Sequence, residues 1–270
     1  MSSENPQLSP RLEAAVHLAE QAGILIQRHF QSDGLLVEAK ADESPVTIAD
    51  RNAELLIREG ITTRFPADSI LGEEFPDVTG TSEYRWIIDP IDGTKPFVHG
   101  VPLFGTLIGI EKSGRMAAGV CHLPAMNETI FAEDGQGCWW KIKDQPPRRT
   151  SATQTSRLAD ARLMFTEPTH WRKTRRFDAI VEVMDQVKVA RGWGDCFGHI
   201  MVATGRAEIA IDPLMSAWDI AALIPILREA GASCTSWKGE ENVFAGDGVS
   251  VIPQLRQSVI DILSRAPALP

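Results

Sequence analysis

Two hydrophobic rhythms succeed one another along the chain. Near the start, Leu12, Ala15, Val16, Ala19, Gly23 and Ile26 recur at helical spacing, which predicts an amphipathic helix after a polar tail over residues 1–10. Ala53, Leu56, Ile57, Gly60 and Ile61 form a second such stripe, which should end near Phe65-Pro66. The mixed stretch between them, residues 34–47, reads as a loop or short strand. From 86 to 143 the pattern turns to strands. Runs at 105–111, 117–122 and 128–133 are separated by turn pieces at Ser113-Gly114, Pro124 and Asp134-Gly135, which predicts an antiparallel meander. The polar run 143–151, with Pro146-Pro147, is the best boundary and divides the chain into halves at 1–145 and 146–270. Beyond it, strands are expected at 161–166, 187–192, 207–211 and 234–237. Helices are expected at 174–187, 197–204, 218–230 (stopped by Gly231) and 254–265. The pattern thus predicts an α+β first half and an α/β second half. No internal repeat is visible.

At 270 residues the chain can bury a substantial core. Its formal charge of −9 argues against a nucleic-acid surface, which is usually basic. The local basic clusters, Arg148-Arg149 and residues 172–176, read as solvated faces. Cys121, Cys138, Cys196 and Cys234 form no C-x-x-C pair, so they read as small apolar fillers or free thiols suited to a reducing cytosol. The first ten residues lack the apolar core of a secretory signal, and no apolar run approaches the length of a membrane span. A cytoplasmic protein is expected.

The stretch 86–97, Trp-Ile-Ile-Asp-Pro-Ile-Asp-Gly-Thr-Lys-Pro-Phe, changes the picture most. A buried strand that stops at Asp89 would place Asp89 and Asp92 at its exposed edge. The turn at Gly93 would open a helix, with Pro96 in the first turn, where a missing N–H costs nothing. Free N–H groups there attract an anion. Carboxylates beside such an anion site suggest Mg²⁺-assisted chemistry on a phosphate. Asp-Pro and Asp-Gly are also ordinary turn pairs, and Asp is an ordinary helix cap. Two more acidic elements tilt the balance: Glu73-Glu74 after Leu71-Gly72, and Asp219 within 217–222.

With these elements in order, the chain resembles the Mg²⁺-dependent, lithium-sensitive inositol monophosphatase superfamily. Residues 86–102 match its first signature and 218–231 its second, with Gly72-Glu73-Glu74 and Thr47-Ile48-Ala49-Asp50 also in place. The resemblance spans roughly residues 10–265 and implies a layered αβαβα sandwich. It implies that Glu73, Asp89 and the Ile91 carbonyl hold one Mg²⁺, and that Asp89, Asp92 and Asp219 hold a second, with a weaker third near Glu73. It further implies that Thr94 orients the attacking water and that Asp50 accepts from Thr94. The N–H groups of Gly93 and Thr94 would bind phosphate oxygens. Helix capping remains the alternative for Asp50 and Asp219. Lys40 is either a phosphate-side cation or a solvated lysine, and His99 reads as structural. The family is commonly dimeric, so a homodimer acting on a small phosphorylated metabolite is expected.

Within the superfamily the chain looks most like the histidinol-phosphate phosphatases. Lys95-Pro96 replaces the Thr-Asn usual in inositol monophosphatases, and an acid, Asp195, follows Gly194. The segments 206–213, 101–106 and 138–140 point the same way. Histidinol phosphate carries an ammonium and an imidazole, which Asp195 and Asp212 could pair with at the pocket mouth. Capping and turn roles are the alternatives for these two. Arg191 and Gly194 would line the same loop. The competing expectations are an inositol or broad sugar-phosphate phosphatase, and a non-catalytic regulatory protein that keeps the fold.

Overall fold

The computed structural model describes residues 6–32, 36–39 and 45–269. Lys40, a candidate phosphate-side cation, lies outside the described residues. Helix α1 (Pro10–Gln27) starts at Ser9, whose hydroxyl accepts the Leu12 N–H, and buries Leu12, Ala15, Ala19 and Ile26. A short antiparallel pair, β1 (Val37–Ala39) and β2 (Pro45–Thr47), leads into α2 (Ile48–Arg64), which packs on α1.

A seven-stranded sheet follows. Its strands are β3 (Ser69–Gly72), β4 (Tyr84–Asp92), β5 (Gly105–Lys112), β6 (Arg115–Leu123), β7 (Glu128–Glu133), β8 (Cys138–Ile142) and β9 (Arg148–Thr150), in that spatial order. All pairings are antiparallel except β3 with β4. The expected meander is present, and β9 carries the sheet into the polar run 143–151. A one-turn helix, α3 (Thr94–Val98), interrupts the meander after β4.

Alternation along these strands separates two cores. Trp86, Ile88, Ile108 and Val120 face α1 and α2. Ile87, Leu107, Cys121 and Ile130 face the other way, into a larger core shared with the rest of the chain.

The second sheet has five strands, in the order β11-β10-β12-β14-β13. They are β10 (Arg162–Phe165), β11 (Val189–Arg191), β12 (Ile209–Asp212), β13 (Ser233–Thr235) and β14 (Gly248–Val251). The pairs β10–β11 and β10–β12 are parallel, and β14 runs antiparallel to both of its neighbours. Helices α4 (Pro168–Lys173), α5 (Phe177–Met184) and α9 (Pro253–Leu263) lie on its outer side, with α5 packed on α9. Helices α6 (Asp195–Ala203), α7 (Ala217–Ala221) and α8 (Leu223–Glu229) touch strands of the first sheet, and α6 and α8 touch the second as well. The layers therefore run helix, sheet, helix, sheet, helix, the sandwich that the resemblance implies.

Three local expectations are corrected. The helix expected at 218–230 is two helices that meet at Ala222, because Pro225 has no N–H to give the Ala221 carbonyl four residues back. The helix expected at 174–187 is the shorter α5, which begins only at Phe177 because Arg175 turns to φ 58° and Arg176 buries its guanidinium against Asp247 at 2.8 Å; α4, just before it, was not expected. Finally, β4 does not stop at Asp89. It continues to Asp92 through a shift of register.

The middle helices sit hard against the first sheet. A Cβ on Gly109 would stand 2.7 Å from the Ala221 Cβ, and one on Gly119 would stand 2.2 Å from the Ala222 carbonyl oxygen. Glycine at these two positions lets α7 approach closely enough to carry Asp219 to the end of β4.

Candidate active site

Residues three apart on a regular strand face opposite sides. The register shift between Asp89 and Asp92 breaks that alternation and lets both carboxylates face one cavity. Asp219 joins them from the first turn of α7, where its Oδ2 accepts the Ser216 N–H at 2.7 Å. One carboxylate oxygen from each of Asp89, Asp92 and Asp219 lies within 4.8 Å of the others. Glu73, on the loop after β3, lines the same cavity. Asp219 therefore both caps its helix and belongs to the cluster.

The electrostatics are those of like charges crowded together. Burial, then Glu73, Asp92 and Asp219, push the Asp89 carboxyl well up. Burial, then Asp195, does the same to Asp92. Asp219 is pushed up to about 7, chiefly by burial, with Glu73 adding to it. The Oδ1 of Asp89 is buried and has no hydrogen-bond partner. Asp92 Oδ2 accepts the backbone N–H of Cys196, which ties the end of β4 to the start of α6.

Past Asp92 the chain reverses at Gly93, with φ 84°, and enters α3. A Cβ at Gly93 would meet the Leu103 carbonyl oxygen at 3.0 Å, so both conformation and space call for glycine. Thr94 Oγ1 donates to the Ile91 carbonyl at 3.1 Å. The expected bond from Thr94 to Asp50 is not made. Asp50 Oδ2 instead accepts the Thr47 N–H at 2.7 Å and the Thr47 hydroxyl at 2.6 Å, closing a capping box at the start of α2. Its Oδ1 is buried without a partner, and burial raises its pKa to about 6.

The cavity measures about 690 Å³. Of the residues expected on the substrate side, Gly194 and Asp195 line it. Asp195 holds φ 53°, a strained conformation outside glycine, and burial pushes its pKa up to about 7. Its Oδ2 lies 3.4 Å from where a Cβ on Gly93 would stand. The other two are placed differently. Arg191 is exposed, is not in the lining, and donates to the neighbouring Ala190 carbonyl at 2.9 Å. Asp212 is buried behind the cavity, where its Oδ2 meets His199 Nε2 at 3.1 Å, and His199 Nδ1 meets Ser250 Oγ at 2.7 Å. His99 stays near the surface, with its Nδ1 2.9 Å from the Lys95 carbonyl.

Sequence reasoning missed three further lining residues, Thr166, Glu167 and His170, the first of which donates to Asp195 Oδ1 at 3.4 Å. Lys95 Nζ donates to Glu167 Oε1 at 2.7 Å and stands 3.3 Å from His170 Nε2. It also missed the brace beneath Glu73. Buried Glu54 accepts from Arg58 at 2.7 Å and from the Glu74 N–H at 2.8 Å, while Arg58 donates to the carbonyls of Phe75 and Pro76. An i, i+4 Glu-Arg pair on α2 was the available signal.

Sandwich, acidic strand end and paired helix start define a metal-assisted phosphatase type of fold. The chain belongs to the inositol monophosphatase family, whose model matches residues 7–266. It is 42% identical over 245 residues to a histidinol-phosphatase of Chlorobaculum parvum, covering 90% of this chain and 92% of the relative. It is 34% identical over 253 residues to the histidinol-phosphatase of Mycobacterium tuberculosis, covering 94% and 97%. Among solved structures, the extragenic suppressor protein suhB of Bartonella henselae superposes with a TM-score of 0.86 at 28% identity, over 96% of this chain and all of that one.

Proposed function

We propose that the protein is a Mg²⁺-dependent phosphomonoesterase that releases phosphate from L-histidinol phosphate. The observation that carries the chemistry is the convergence of Asp89, Asp92 and Asp219 on one cavity. The names of the two relatives described above support the substrate.

The residues fit a hard cation. The donors are all oxygen, and Asp89 Oδ1 is a buried acceptor without a proton donor. Glu73, Asp89, Asp92, Asp219 and the Ile91 carbonyl would hold two to three ions. When bound, such ions lower the pKa of a water and offset the charge on phosphate and leaving oxygen. The N–H groups of Gly93 and Thr94 would receive phosphate oxygens. With its proton given to the Ile91 carbonyl, Thr94 Oγ1 keeps lone pairs to accept from the attacking water and orient it. Asp50 acts at one remove, by fixing the start of α2. Asp195 adds negative charge on the substrate's side of the cavity, which suits a positively charged alcohol.

The same reading makes the protein a lithium-sensitive cytoplasmic homodimer; free, buried cysteines are compatible with that compartment. The alternative is inositol 1-phosphate hydrolysis, which the family's name favours. The two are separated by measuring phosphate release from both esters at matched concentrations, with Mg²⁺ and with a chelator. A large preference for histidinol phosphate, abolished by the chelator, is expected. Equal or reversed rates would sink the substrate reading, and turnover that survives the chelator would sink the metal.

A further inference from the structure

The cavity has two walls that come from different halves of the sandwich, and one ion pair joins them. Lys95 sits on α3, three residues beyond Asp92. Glu167 sits at the start of α4, where its side chain makes no cap bond to its own helix. The two meet at 2.7 Å with side chains 42% and 35% exposed, so both are reachable from the cavity they line. Thr169 Oγ1 donates to the same Glu167 oxygen, and His170 Nε2 lies 3.3 Å from it. Burial lowers the pKa of His170, with Lys95 adding to the effect, and its Nε2 stands 3.3 Å from both Lys95 Nζ and Glu167 Oε1, so the ring packs against the pair.

The acids of the cavity divide into two groups. Asp89, Asp92 and Asp219 form the cluster, and Asp195 lies against Gly93 beside them. Glu167 also lines the cavity, outside that cluster, and already holds a cation, Lys95. Asp212, the other expected partner of a positive substrate, is engaged by His199.

We infer that Lys95 and Glu167 are placeholders for the two ends of a zwitterionic substrate. On binding, Lys95 turns to the phosphate and Glu167 takes the substrate's ammonium in its place. This rests on the substrate reading above. Its physical content is an exchange of charge pairs. An aminoalkyl phosphate replaces one Lys–Glu pair by two new ones. A phosphate ester without an amine draws Lys95 away and leaves Glu167 unpaired, a penalty that selects against it. Glu167 is then the specificity-determining carboxylate and Lys95 its counterweight.

The test compares the kinetics of the full chain, with Mg²⁺, on histidinol phosphate and on inositol 1-phosphate. Glu167→Gln keeps the size of the side chain and its bond to Thr169. It should raise KM for histidinol phosphate roughly ten- to hundredfold, the value of one charge-assisted hydrogen bond, with a smaller effect on kcat. The ratio of kcat/KM between the two esters should fall at least about tenfold. Glu167→Asp, which keeps the charge, should restore part of the preference. Lys95→Met should raise KM for both esters by a similar factor. An independent arm uses unaltered protein and the analogue of histidinol phosphate with hydrogen in place of the amine, whose KM should rise by the same factor as in Glu167→Gln. A preference that survives Glu167→Gln in a folded protein, or an analogue turned over as well as the amine, overturns this inference alone. A wild-type protein with no preference for histidinol phosphate overturns the substrate reading and this inference with it.

Discussion

Glu54 Oε2 accepts the backbone N–H of Glu74 at 2.8 Å, so a side chain of α2 fixes the loop that carries Glu73. The other oxygen of Glu54 takes Arg58, whose guanidinium reaches on to Phe75 and Pro76. Both side chains of the pair are largely hidden, at 0% and 11% exposure for Glu54 and Arg58. Glu54→Leu leaves Arg58 without its carboxylate and the Glu74 N–H without an acceptor. It should cost about 3 kcal/mol of stability, read by urea unfolding, and weaken Mg²⁺ binding. An unchanged metal affinity would show that the loop keeps its place without the brace.

Asp89 is the buried member of the cluster and feels Glu73, Asp92 and Asp219 together, and its Asn variant separates charge from shape. Asp89→Asn should lower kcat/KM by about a thousandfold, the equivalent of some 4 kcal/mol of lost charge stabilisation. In the absence of metal the same variant should melt at a higher temperature than wild type near neutral pH, because folding no longer has to protonate a carboxyl that is buried and crowded by Glu73, Asp92 and Asp219. Melting curves with a chelator would reveal a wrong sign at once.

The raised carboxyls also set a pH dependence. Asp219 and Asp195, each pushed up to about 7, hold protons in the folded chain that the unfolded chain releases near pH 4. Their contribution is complete below pH 4 and is lost as pH rises from there through 7. His122, which burial lowers to about 4, works in the opposite direction below pH 6.5, with and without metal alike. The increase in melting temperature on adding Mg²⁺ isolates the carboxyls, and it should grow from pH 5 to pH 8 as bound metal displaces their protons. A shift independent of pH would mean that the ion binds elsewhere.

Gly119→Ala tests the close approach of the middle helices. The added methyl has the Ala222 carbonyl in its way, so the start of α8, and α7 with it, must move off the sheet. A loss of about 2 kcal/mol is expected, with reduced kcat because Asp219 leaves its partners. Full activity at reduced stability would mean that α7 holds its position independently of α8.

What could be read from the chain beforehand follows from the range of each interaction. Alternation along a strand is local, so the sorting of Ile87 and Ile88 to opposite cores was legible, as were the buried stripes of α1 and α2. The acidic motifs were legible because their chemistry is compact: Asp89, Asp92 and Gly93 act within one turn of chain. The interruption at Ala222 was readable too, since Pro225 marks it. Pairings across the cavity were not. Lys95 and Glu167 are 72 residues apart, and nothing in either neighbourhood announces the other. Asp212 illustrates the same limit from the other side. Its carboxylate looked available for substrate, and only the packing of α6 on β12 brings His199 to it. The bond expected between Thr94 and Asp50 gave way to a stronger local claim, because Thr47 offers Asp50 two donors from only three residues away.

The donors of the cluster are far apart in order of synthesis. Asp89 and Asp92 end a strand early in the first sheet, while Asp219 arrives on a helix near the close of the chain. A ribosome that has made the whole seven-stranded sheet has still not delivered α7, and the acids at the end of β4 must wait for their third member. Completion of the cluster is therefore a late event in the life of each molecule. On the proposed reading, a bound ion would mark a chain whose two sheets have already closed on the helices between them.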